Sequence, residues 1–140
     1  MTSLKKIKKA DYFSLFARIA IAMSFLSAVA DRFGFWTPLL GSQNVTWGNM
    51  DSFTAYTGTL VPWMPLSLLP LSAWLVTFAE VILGVLLIIG FQKRIVSLLS
   101  GVLLLTFAVS MLLFSTVKAP LDYSVFTAAA CAFLLYKNSK

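Results

Sequence analysis

The sequence predicts an all-α membrane protein: a four-transmembrane-helix up-down-up-down bundle with a long extracytoplasmic loop between its first and second helices. Two observations lead there. The chain of 140 residues is 59% hydrophobic and only 11% charged, whereas a soluble domain is about half apolar and about a quarter charged. Its apolar residues also fall into four runs, with the basic residues clustered at their ends. The whole chain, 1–140, reads as one transmembrane domain.

The runs cover about 12–30, 71–90, 95–116 and 120–136. A span takes about 20 apolar residues and at least about 17, so the first three qualify outright and the fourth stands at the lower limit. Pro120 suits the first turn of the fourth helix, where Asp122 is favoured by the helix dipole. Met1 to Lys9 carries Lys5, Lys6, Lys8 and Lys9 ahead of an apolar run, as a signal peptide would. That run is too long for a signal and ends in Ala30-Asp31-Arg32 without a small-x-small site, so it reads as a retained span.

The N-terminal lysines, Lys93-Arg94, Lys137 and Lys140 fall on one side, and Arg32 and Lys118 on the other. By the positive-inside rule both termini are expected in the cytoplasm. The net charge of +6 is thus accounted for by span-flanking clusters, which argues for the lipid bilayer as partner and against nucleic acid. With no histidine and a single cysteine, Cys131, the chain offers no internal disulfide, no CxxC pair, no metal site built from several His or Cys, and no His-ligated haem. Cys131 reads as a small apolar packing residue.

The connection 91–94 is short enough to make the second and third helices a hairpin, and the link from third to fourth is similarly short. The first connection, about 32–70, is long and aromatic, and loops of this length are commonly functional or contain structure of their own. Within it, 51–60 is expected to form a short amphipathic helix on Phe53, Tyr56 and Leu60, capped by Asp51 or Ser52 and stopped by Pro62, Pro65 and Pro70. Trp36, Trp47, Phe53, Tyr56 and Trp63 are read first as an interfacial aromatic belt and second as a ligand-binding lid. Asn44-Val45-Thr46 fits a glycosylation sequon, which matters only in a eukaryotic secretory setting.

Glu80 lies in the middle of the second apolar run and Arg18 inside the first. A charge at the centre of a span costs about 2.5–3.5 kcal/mol on insertion scales, so it is expected to be paired or placed at a working site. Arg18 is about 9 Å and Glu80 about 15 Å from the same end of their helices, a gap an arginine spans. An Arg18–Glu80 ion pair is therefore expected, either purely architectural or holding a proton or ligand site. The candidate ligand or proton site residues are Glu80, Arg18, Asp31, Asp122 and Thr77. Asp31 and Asp122, with Arg32 and Lys118 as counter-charges, would form a polar mouth above Glu80, or else serve as solvated end-caps.

Small and polar residues mark packing faces: Ala17, Ala20, Ser24, Ala28 and Asp31 on the first helix, and Ala73, Thr77, Glu80 and Gly84 on the second. Ser97, Ser100 and Gly101 on the third helix, and Ser124, Thr127, Ala128 and Cys131 on the fourth, read as packing positions as well.

Leu15-Phe16-Ala17-Arg18-Ile19-Ala20-Ile21-Ala22, followed by Phe25-Leu26 and Ala30-Asp31-Arg32-Phe33-Gly34, resembles the first helix of the DoxX family. Phe78-Ala79-Glu80-Val81-Ile82-Leu83-Gly84-Val85-Leu86-Leu87-Ile88-Ile89-Gly90, then Lys93-Arg94, is similar to that family's glutamate-bearing second helix and basic turn. Alanines stand at 22 and at 28 or 30 where glycines are frequent, and the histidine that follows the third helix in many members is missing. The resemblance implies a bacterial inner-membrane protein with the family's arginine and glutamate at Arg18 and Glu80. It also implies an accessory subunit of a quinone-associated redox complex, with a quinone as candidate ligand and an oxidoreductase as candidate partner. Such a subunit would not catalyse alone. Two other readings are a non-enzymatic scaffold or partner-binding subunit, and a small carrier or proton pathway that would need a homo-oligomer.

Overall fold

The computed structural model describes the backbone of residues 2–139 and the side chains of residues 12–139. The helices are α1 (Thr2–Arg32), α2 (Thr37–Leu40), α3 (Met50–Leu60), α4 (Leu69–Ile89), α5 (Lys93–Phe114), α6 (Lys118–Asp122) and α7 (Val125–Asn138). Single 3-10 turns cover Ser42–Asn44 and Leu66–Leu68, and there is no strand among the described residues. Three stretches are long and apolar enough to cross a membrane: Tyr12–Arg32, Leu66–Ile89 and Lys93–Phe114. The chain is an all-helical membrane protein.

The fourth expected span, 120–136, is not one helix. Ser124 adopts the left-handed conformation with φ +55° and breaks it into α6 and α7. At 1.5 Å per residue the 14 residues of α7 reach about 21 Å, less than the roughly 30 Å of a hydrocarbon core. Pro120, expected to open that helix, is buried inside α6.

α1 and α4 run antiparallel. The guanidinium of Arg18 lies at Gly90, Leu26 and Ala22 lie at Gly84, and Arg32 lies at Thr77 and Glu80. A Cβ on Gly84 would stand 3.1 Å from Leu26, so glycine here sets how closely the two helices approach. α5 and α7 are likewise antiparallel, with Gly101 under the Phe133 ring and Arg94 against Tyr136. A Cβ at 101 would come within 2.7 Å of that ring. Ile21, Ala22, Phe25, Leu83, Leu87, Val96, Leu104, Ala129, Ala132 and Leu135 form the shared core.

The expected small-residue face of α4 is buried in full, at Ala73, Thr77, Glu80 and Gly84. That of α1 is rotated from the expected one. Ala20 and Ser24 are exposed, and Ile21, Ala22, Phe25 and Val29 are buried instead, because α4 supplies the small residues and leaves room for larger ones on its partner. Ser97, Ser100 and Gly101 pack into the core side of α5, and Cys131 is half-buried against the core. Large outward-facing residues such as Phe16, Leu75, Phe78, Ile82 and Leu113 are those a lipid-facing surface presents.

The expected loop helix forms as α3, with Phe53 and Leu60 buried. Its cap is Asn49, whose Oδ1 accepts from the Ser52 N–H at 2.8 Å. Asp51 and Ser52 lie inside the first turn. α3 packs on α4 and reaches α5, which lays the long connection over one end of the bundle.

Candidate functional site

Glu80 is paired with Arg32. One nitrogen of the guanidinium, Nη1, donates to Glu80 Oε2 and to Thr77 Oγ1, the latter at 2.9 Å, and the two charged residues are 2% and 3% exposed. Thr77 in turn donates to the Ala73 carbonyl at 2.8 Å, so its hydroxyl is used in both directions. The guanidinium carbon lies 3.6 Å from the centre of the Phe53 ring and 5.2 Å from that of Trp47, an arrangement in which aromatic faces stabilise a desolvated cation.

The expected Arg18–Glu80 pair does not form. Arg18 is directed to the other end of α4, where its Nη2 reaches the Ile88 carbonyl at 3.5 Å and its guanidinium packs on Gly90. The reason is side-chain direction, which helix depth alone does not capture. Cα–Cβ bonds tilt toward a helix's own N-terminus. On α1 this carries Arg18 away from Glu80 and brings Arg32 back into the bundle. On the antiparallel α4 it tilts Glu80 toward Arg32.

Asp31, adjacent in sequence to Arg32, faces the loop. Its carboxylate accepts from three consecutive backbone N–H groups, those of Thr46 at 3.1 Å, Trp47 at 3.0 Å and Gly48 at 3.2 Å. The peptide of Trp47 is thereby tied to the end of α1 while its indole covers Arg32 and packs edge-on against Phe53, 5.1 Å between centroids. The backbone enters and leaves this stretch at Gly34 and Gly48, both left-handed with φ +75° and +72°. A Cβ at 34 would stand 3.1 Å from the Gly48 carbonyl.

Above the ion pair opens a cavity of about 1030 Å³, bounded by α1, the loop, α3, α4, α5 and the start of α7. Arg32, Glu80 and Asp31 contribute its charged groups, and Phe25, Val76, Leu104, Phe107 and Met111 much of its apolar wall. Of the aromatics expected as a lid, Trp36, Trp47, Phe53 and Tyr56 line it, and Trp36 is fixed by donating to the Ser27 carbonyl at 3.1 Å. Trp63 does not line it, being exposed and packed edge-on against Phe114. The aromatics therefore divide between cavity wall and outer surface. Burial, with Tyr123 nearby as a lesser cause, raises the Tyr56 phenol above its ordinary value.

The polar mouth expected from Asp31 and Asp122 is not built. Asp122 pairs with Lys118 on the exposed face of α6 and lies outside the cavity wall. Arg32 is no counter-charge at that mouth but the partner of Glu80. Ser110 and Met111 of α5 also line the cavity. Their apolar setting in the sequence gives no sign of this, since only the approach of α3 and the loop turns that face of α5 into a wall.

Together these features define an all-helical membrane protein whose loop end carries an open, largely apolar cavity with a buried ion pair at its floor. No protein-family model matches the chain, and no curated protein or solved structure matches it either.

Proposed function

We propose that the chain is a membrane-embedded binding subunit that holds a lipophilic molecule by its polar head. The DoxX resemblance favours a quinone, in an accessory subunit of a redox-linked complex whose electrons are carried by an oxidoreductase partner. The observation that supports this most is the lining of the cavity. Its volume is about that of the largest small-molecule sites, its wall is mostly apolar and aromatic, and the Arg32–Glu80 pair places its strongest polar groups together. Arg32 and Glu80 would hold the head, with Thr77, which does not line the cavity, fixing the Arg32 guanidinium from behind, and the aromatics of the loop and α3 would cover it. On this reading the Lys93-Arg94 end faces the cytoplasm of a bacterial inner membrane, and α6 and α7 together return the chain to that side.

The test is thermal unfolding of the detergent-solubilised protein with a short-tailed ubiquinone analogue, oxidised and reduced, against a Ser110→Phe variant that fills the cavity. Ligand at about 100 times its Kd stabilises the folded state by about 2.7 kcal/mol, a shift of several degrees that the filled variant should lose. If neither form shifts the wild type, the quinone reading falls.

A scaffold role has one observation in its favour. Arg32, Glu80 and Thr77 tie α1 to α4, and this would fix helix register without any ligand. Copurification with a defined partner, unchanged by Ser110→Phe, would favour it.

A further inference from the structure

We infer that the head group this cavity selects is a neutral hydroxyl, a phenol or an alcohol, in preference to an oxygen that only accepts, as in a carbonyl or an ether, or to an anion. The inference rests on the reading of the cavity as a ligand site and specifies the chemistry of its floor, which on the quinone reading selects the reduced, hydroxyl-bearing form.

Nη1 of Arg32 carries two protons, and both are used, on Thr77 Oγ1 and Glu80 Oε2. Among the described residues, Arg32 Nε, Arg32 Nη2 and Glu80 Oε1 make no hydrogen bond; Nε is wholly buried, and both side chains line the cavity. The floor therefore offers an unused donor and an unused acceptor from the two halves of one ion pair. A guanidinium only donates and a carboxylate only accepts, so each leaves its own requirement on the ligand.

A carbonyl oxygen satisfies Nη2 but has no proton for Oε1, and a buried acceptor left unpaired costs about 1–3 kcal/mol, more when it is charged. An anion has the same defect and adds a charge, because Glu80 has already neutralised the guanidinium. An ammonium satisfies Oε1 but lies against a cation. A hydroxyl is the group that can both accept from one N–H of Nη2 and donate to Oε1. The rest of such a ligand has apolar wall to cover, from Trp47 and Phe53 beside the floor to Phe107 and Met111 on α5.

The experiment compares 4-hexylphenol, 4-hexylanisole and 4-hexylbenzoate on the wild-type protein in detergent, reading Kd from ligand-dependent thermal shifts. The first two differ only in whether the ring oxygen carries a proton or a methyl group. The phenol is expected to bind at least about tenfold more tightly than either, and tenfold corresponds to about 1.4 kcal/mol. The binding should vanish in Ser110→Phe or, should that variant not fold, in Ala128→Leu, which narrows the same space. Equal affinities for phenol and anisole, both lost on filling the cavity, would overturn the hydroxyl preference and leave the cavity as a ligand site. No shift with any of the three would overturn both.

Discussion

Arg32 and Glu80 stand 48 positions apart in the chain and meet as an ion pair from which water is almost wholly excluded. Such a pair is costly to break from one side, because the remaining charge is buried without a partner, at about 3–5 kcal/mol. Glu80→Gln and Arg32→Gln should each destabilise the protein by that order in denaturant titrations. The apolar double replacement Arg32→Met with Glu80→Leu should recover most of the loss. Arg18→Gln, by contrast, removes one long hydrogen bond from a half-buried side chain and should cost less than about 1 kcal/mol. A loss at Arg18 as large as that at Arg32 would contradict the pairing described above.

The three amides held by Asp31 define a second relationship that can be probed. Asn in place of Asp31 keeps one acceptor but turns an NH₂ group toward a backbone N–H, so at least one of these part-buried bonds is lost, at about 0.5–1.5 kcal/mol. The effect should be local. Hydrogen exchange at Thr46, Trp47 and Gly48 should accelerate in Asp31→Asn while amides in α5 and α7 keep their protection. Unchanged exchange at the three amides would mean that the loop is held by its aromatic contacts instead.

How much was legible follows from which physical rule each feature obeys. Span length and hydropathy alone place α4, α5 and the membrane part of α1, and helical spacing places α3, so the sequence carries them in local terms. Glu80 announces itself as a charge in an apolar run. Its partner does not, because choosing between Arg18 and Arg32 requires the relative direction of two helices and the tilt of their side chains. Asp31 reads as an end-cap until a loop 15 residues further on returns its amides to it. The break at Ser124 is hidden for a related reason. A serine in the left-handed region is uncommon, and nothing in its neighbours marks it.

Tyr56 supplies a pH prediction. Its pKa is raised in the folded protein from the ordinary value of 10.0, by burial first and by Tyr123 second. A raised folded value means that the folded state holds the proton more firmly than the unfolded one. The stability linked to Tyr56 is therefore complete below pH 10 and is lost as pH rises through the folded pKa. Phenolate absorbance should show a component titrating above the others, and Tyr56→Phe should remove it. That variant should also lose less stability than wild type between neutral pH and the alkaline range. If all four tyrosines titrate together, the phenol is not shielded as described.

Gly90 and Arg18 should be coupled. Gly90 ends α4 in the left-handed conformation, φ +73°, with its N–H on the Leu86 carbonyl at 3.0 Å. The space a side chain would need is taken by the Arg18 guanidinium, whose Nη1, Nη2 and Cζ lie 3.0–3.3 Å from the position of a Cβ. Gly90→Ala therefore meets two penalties, about 1–2 kcal/mol for the left-handed backbone and a further cost for displacing Arg18. Arg18→Ala relieves only the second. In a double-mutant cycle the pair should deviate from additivity by about 0.5 kcal/mol or more, with the double variant more stable than the sum of the singles allows. Strict additivity would show that the guanidinium moves aside freely, and that the helix end alone demands glycine at position 90.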